Sequence, residues 1–211
     1  MKAKVKPVDK GGIVPKMGHM SQKSYQLLAA FTASYGGRFS LAELAGIAGI
    51  PRQTASRLLE GMAASGIIDY RVQGRNKLSF FDLSKKSTEL VLGIIESQKS
   101  LAFQSRMKEA SIIVNGLLKL CDTVVVFGSY ASGSFSRSSD LDVLLAGDRR
   151  DADISGLKGR HSVEINEQRA TYQELATMLA AKNPLAIEIM KNHVIFGDVS
   201  RIVKLFMEAS G

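Results

Sequence analysis

The sequence predicts a mixed α+β fold divided between two modules, and three observations lead there. Apolar residues recur at helical spacing early in the chain and then give way to two short alternating runs, the pattern of helices closed by a hairpin. Farther on, strand-length apolar runs at 123–127 and 140–145 flank a Gly-Ser turn. The formal net charge of +8 is carried wholly by residues 1–100, while residues 101–211 are balanced. Such asymmetry sets a polyanion-facing module ahead of a neutral one.

Composition narrows the function classes. A length of 211 residues with 45% hydrophobic content suits two small, well-cored domains. No apolar run is long enough to cross a membrane, and residues 1–16 carry lysines without the apolar centre of a signal peptide, so a cytoplasmic, membrane-free protein is expected. The single cysteine, Cys121, precedes an apolar run and reads as a buried structural thiol. His19, His161 and His193 are scattered without the spacing of zinc ligands.

Residues 1–22 are polar, lysine-bearing and glycine-containing, and are read as a flexible segment. Over 24–35, Leu27, Leu28, Phe31 and Tyr35 mark the buried side of a helix that Gly36-Gly37 ends. Ser40 with Glu43 three residues later is a capping-box pattern for a second helix through Leu41, Leu44, Ala45 and Ala48. Gly49-Ile50-Pro51 turns the chain into a third helix over 51–65, with Ala55, Leu58, Leu59 and Met62 on its apolar side. The runs 67–72 and 77–83 alternate as two strands joined by 73–76.

Residues 39–66 resemble a helix-turn-helix, and the hairpin that follows makes it a winged one, expected over 23–84. The resemblance implies that Arg52, Gln53, Thr54, Ser56 and Arg57, at the front of the third helix, enter a major groove of duplex DNA. Arg75 and Lys77 on the wing would then touch phosphate or the minor groove. Dimerisation or docking is the other use of such a module. Residues 84–120 read as a long helical connection through Leu90, Leu92, Ile94 and Ile95, then Ile112, Ile113, Leu117 and Leu118. Residues 85–110 of it form a helical linker, whose first part suits a homodimer or interdomain seam.

The second half carries the chemistry. In a strand, residues two apart share a face, so Asp140 and Asp142 point one way and Leu141 and Val143 the other. Two adjacent carboxylates repel each other unless a cation lies between them. Magnesium takes hard oxygen ligands and completes its shell with water and substrate phosphates. Beyond the pair, Glu164 sits between Val163 and Ile165 in 161–166, as a carboxylate projecting from an apolar strand would. Helices are expected over 172–181, from Asn183-Pro184 through Leu185, Ile189 and Met190, and over 202–207, with a strand before the last.

An apolar strand, Gly-Ser, a short helix and Asp-x-Asp in apolar context, in that order, resemble the DNA polymerase beta-like nucleotidyltransferase superfamily and, in compactness, its minimal members. The likeness covers about 112–198. It implies a small α/β nucleotidyltransferase domain over 111–211, with a mixed sheet flanked by helices. It further implies that Gly128 admits the triphosphate, that Ser129 donates to it, and that Asp140 and Asp142 hold Mg2+. The family's third carboxylate is best matched by Glu164, with Glu167 as the fallback; it would complete a two-metal site and activate the attacking hydroxyl. Several relatives place a basic side chain soon after Gly-Ser, where this chain has Tyr130-Ala131-Ser132-Gly133, and Arg137 is the nearest positive charge.

The function expected on these grounds is Mg2+-dependent transfer of a nucleoside monophosphate from an NTP, with ATP as the expected donor, to a hydroxyl on a protein, a small molecule or a nucleic-acid end. Minimal nucleotidyltransferases often act as antitoxins on a tyrosine of a helical toxin, which makes a helical protein partner one expected acceptor. The alternative is a DNA-binding transcriptional regulator whose nucleotidyltransferase fold binds nucleotide without turnover.

Overall fold

The computed structural model describes residues 21–136, 138–148 and 153–211. The flexible segment expected over 1–22 therefore lies outside the described residues up to position 20, and so does Arg137. Ser21 instead caps α1 (Gln22–Ala29), its hydroxyl accepting from the Ser24 N–H. A 3-10 turn over Ala30–Ala33 follows, and Leu27, Leu28, Phe31 and Tyr35 are all buried.

Local rules account for the next elements. Ser40 caps α2 (Leu41–Ala48) with the full reciprocal box: the Glu43 N–H donates to Ser40 Oγ, and the Ser40 N–H donates to Glu43 Oε2 at 2.7 Å. Gly49, at φ 64°, ends that helix in the left-handed conformation, and α3 (Arg52–Ala64) starts after Pro51. The hairpin β2 (Asp69–Gln73) and β3 (Asn76–Phe80) is joined by β1 (Phe39–Ser40) into an antiparallel sheet of order β1-β3-β2. Two residues carry no readable alternation, so β1 has no sequence signal; it exists because β3 offers it an edge, pairing Phe39 with Ser79 and Ser40 with Leu78.

Two helices lead into the second half, α4 (Lys86–Arg106) and α5 (Lys108–Leu117), separated by a break at Met107. Then come β4 (Thr123–Phe127), α6 (Gly128–Ser132), β5 (Leu141–Ala146), β6 (Ile165–Ala170), α7 (Tyr172–Ala180), α8 (Pro184–Lys191), β7 (His193–Gly197) and α9 (Val199–Ser210). The strands form a mixed sheet of order β6-β5-β4-β7, with β5 and β6 parallel and the other pairs antiparallel. The strand expected over 161–166 begins later than foreseen. Ile165 is its first residue and it runs to Ala170, because parallel backbone pairing with β5 holds the polar stretch Asn166–Arg169 extended at a sheet edge.

The sheet separates two apolar layers by residue parity. Val124, Val126, Leu141, Val143, Leu145, Val194 and Phe196 pack with Ile113, Val114 and Leu117 of α5. The opposite parity, Val125, Phe127, Leu144 and Ile195, packs with α7, α8 and α9 and with residues of the amino-terminal half, including Leu27, Phe31 and Tyr35. One continuous core therefore joins the two halves. Helix α4 contributes Leu92 and Ile95 to it while leaving Leu90, Ile94 and Leu101 exposed.

A charged cluster sits inside that junction. Glu96 of α4 has no exposed surface, and its Oε1 accepts from the Tyr35 hydroxyl at 2.9 Å and lies 3.0 Å from His193 Nε2. Lys99 Nζ stands 2.9 Å from Oε2. His193 Nδ1 faces the carbonyls of Ile189 and Met190 at 3.0 and 3.1 Å. Burial pushes the Glu96 carboxyl up, but the charges of His193 and Lys99 and their hydrogen bonds outweigh it and hold the group down at about 2. Cys121 is buried, as a structural thiol should be, and donates to the Leu117 carbonyl. Among the described residues no helix is long and apolar enough to cross a membrane.

Candidate active site

Strand β4 delivers the chain to Gly128 at the end of the sheet, and β5 starts there. Register sets out what meets at that end. Phe127 pairs with His193 on β7, and Val126 pairs with Val143 on β5. One further step along β5 brings Asp142 abreast of Phe127, and Asp142 is itself paired with Asn166 on parallel β6. His193, Phe127, Asp142 and Asn166 thus form a row across all four strands. Asp140 lies two residues back from Asp142, exposed at the rim.

The Gly-Ser turn and the aspartates are in direct apposition. Gly128 has φ 64°, a left-handed conformation that favours glycine, and a Cβ built on it would lie 2.4 Å from Asp142 Oδ2. The carboxylate therefore occupies the space that any side chain at 128 would need. Its other oxygen, Oδ1, accepts from Asn166 Nδ2 at 2.8 Å. Asp142 is held between a bare backbone on one side and a donated amide N–H on the other.

Ser129 is half-buried, and its carbonyl accepts from the Ser134 N–H at 3.0 Å and the Ser132 hydroxyl at 3.1 Å. These bonds fix the turn before Gly133, at φ 77°, ends α6. Tyr130 is turned inward: its ring packs in the α5 layer and stacks on Phe135, with centroids 4.6 Å apart. Burial pushes its phenol up, and the charges of Glu109 and Asp140 add to the shift. Glu109 in turn accepts from the Ser162 N–H and hydroxyl at 2.9 and 2.7 Å, bonds that lower its carboxyl and anchor the approach to β6.

Glu164 stands exposed immediately before β6, and its backbone carbonyl accepts from the Leu141 N–H at 2.8 Å. Its side chain is not drawn into a cluster with the aspartates, since among the described residues no three His, Cys, Asp or Glu side chains converge on one point. Glu167 is engaged elsewhere, with Lys158 at 2.5 Å and Arg169 at 3.7 Å. Asp142 thus stands with one oxygen against Gly128, and Asp140 is exposed two residues before it. Carboxylate oxygens are of the hard type that suits a divalent cation sharing its shell with phosphate oxygens.

The residues expected to face nucleic acid lie at the other end of the chain. Arg52, Gln53 and Arg57 are exposed on α3, while Thr54 and Ser56 are half-buried and Ser56 donates to Glu60. Arg75 and Lys77 are exposed on the hairpin, with Lys77 Nζ over the Tyr70 ring at 3.6 Å. Arg71, exposed on β2, adds a basic group that the sequence pattern did not single out. Asn166 was missed as well, although it lies two residues after Glu164 and so shares its parity.

Comparison with known proteins agrees with this geometry. Residues 112–196, which span both sides of the Gly128–Asp142 apposition, match the model of the nucleotidyltransferase domain family. No curated protein and no solved structure matches the chain. The carboxy-terminal module is a nucleotidyltransferase domain, and the protein is a nucleotidyltransferase.

Proposed function

We propose that this protein transfers a nucleoside monophosphate from ATP to a hydroxyl acceptor with the help of Mg2+, and that its basic amino-terminal module is a winged helix that binds duplex DNA. The observation that carries the catalytic part is the closeness of Gly128 to Asp142 Oδ2. It puts a backbone turn without a side chain and an oriented carboxylate at one point, where a triphosphate and its cation would be held together. A bound Mg2+ would neutralise charge on the phosphates and on the pyrophosphate leaving group.

The chain's own residues supply the rest. Gly128 lets the phosphates approach, Ser129 donates to them, and Asp140 and Asp142 hold the cation. Arg137 is assigned to phosphate charge. Glu164, exposed at the head of β6, is assigned the proton of the attacking hydroxyl. The acceptor oxygen attacks the α-phosphorus, a P–O bond forms, and the bond to the leaving pyrophosphate breaks. A hydroxyl of a helical protein partner is the acceptor class favoured by the likeness to minimal members of the superfamily.

The test is labelled ATP with Mg2+ and a panel of hydroxyl acceptors, comparing wild type with Asp140→Asn and Asp142→Asn. Pyrophosphate release should be lost in both variants. Nucleotide binding with no release by wild type across the panel would instead favour a nucleotide-sensing regulator.

A further inference from the structure

We propose that Asn166 is the positioning residue of the aspartate pair, holding Asp142 in the one orientation that presents Oδ2 to the phosphate turn. The inference rests on the metal-dependent reading above and deepens it. A carboxylate only accepts hydrogen bonds, so the amide must turn its NH2 toward Asp142 Oδ1, and it does so at 2.8 Å. Asp142 and Asn166 are directly paired across parallel strands, so backbone register sets their separation rather than a flexible loop. The opposite oxygen lies against Gly128, where only the absence of a Cβ makes room for it.

With Oδ1 occupied, rotation of the carboxylate about its Cβ–Cγ bond would break that hydrogen bond and move Oδ2 from its place beside Gly128. The site is therefore built as a donated clamp on one side and a steric gap on the other. The cation is left to Asp142 Oδ2 and Asp140. Asn166 itself touches neither substrate nor cation in this arrangement. Its contribution is orientation, of the kind that outer-shell hydrogen bonds make to metal-ligating carboxylates.

Binding of Mn2+ to the full chain, followed by electron paramagnetic resonance without nucleotide, reads this directly. Asn166→Leu keeps the approximate shape and removes the donor, and should weaken Mn2+ binding about 10- to 100-fold with an unchanged melting temperature. Asn166→Gln keeps an amide donor on a side chain one methylene longer and should bind Mn2+ more tightly than the Leu variant. Rescue by a donor-bearing side chain is not what a purely structural strand residue would give. The proposal is overturned if the Leu variant binds Mn2+ within about threefold of wild type, or if the Gln variant binds no better than the Leu variant. Asp142→Asn separates the two levels. If it abolishes Mn2+ binding while Asn166→Leu does not, the positioning role fails and the metal-dependent reading stands; a wild type that binds no Mn2+ overturns both.

Discussion

Replacing Gly128 by alanine tests whether the turn and the aspartate work as one site. The added methyl meets two separate penalties. The backbone at φ 64° costs an L-residue about 1 kcal/mol. The Cβ would also stand 2.4 Å from Asp142 Oδ2 and 3.2 Å from its Cγ, so the carboxylate must retreat by about 1 Å to reach ordinary contact. It cannot do so freely, because Oδ1 is tied to Asn166. A displacement of that size in a reacting constellation costs about 100-fold in rate.

Gly133→Ala is the matched control. Gly133 has φ 77°, so its backbone penalty is similar, but a Cβ there meets nothing within 4 Å. Both variants should lose about 1 kcal/mol of stability to the backbone, a melting shift of roughly 2–4 °C for a chain of this size, and the contact with Asp142 should add to the loss in Gly128→Ala alone. Only Gly128→Ala should lose pyrophosphate release on the acceptor panel, by about 100-fold. Equal loss in the two variants would show that strain in the loop, and not the closeness of Asp142, governs activity. Full activity in Gly128→Ala would refute the apposition as the site.

The remaining expectations concern the junction and the basic module. The Glu96 carboxyl is held at about 2 against an ordinary 4.5, so its contribution is fully present above pH 4.5 and is lost as pH falls toward 2. That contribution is about 3 kcal/mol, and Glu96→Gln should flatten this acid limb in urea unfolding measured between pH 6 and pH 3; an unchanged limb would mean that other carboxylates carry it. For the amino-terminal module, Arg52→Ala and Arg57→Ala should each weaken binding to duplex DNA and reduce the salt slope by about 1 for each phosphate left unneutralised. Unchanged affinity and slope in both would remove α3 from the DNA interface.

Local grammar made much of the fold legible. Ser40 with Glu43 and Gly49 marked the ends of α2, because caps depend only on the residues beside them. Parity placed Leu141 and Val143 in one layer and Asp142 on the opposite face, since alternation is built into any strand. Which partner faced Asp142 was not legible in the same way. That depends on how β6 slides along β5, and no residue in 161–170 encodes its own register against a strand more than twenty positions earlier. The apolar neighbours that make Glu164 the expected third carboxylate, ahead of Glu167, carry no sign that the pairing sets Asn166 opposite Asp142.

Glu96 shows the same limit from the side of burial. In α4 the sequence offers Leu90, Leu92, Ile94 and Ile95 as apolar positions, of which Leu92 and Ile95 are core, and gives a glutamate no reason to be inside. It is inside because α4 is covered from two directions, by Tyr35 from the amino-terminal half and by His193 from β7, residues 61 and 97 positions away. His193 is also the first member of the cross-sheet row that ends at Asp142 and Asn166. Through His193, the carboxylate that joins the two halves therefore touches the end of that row opposite Asn166.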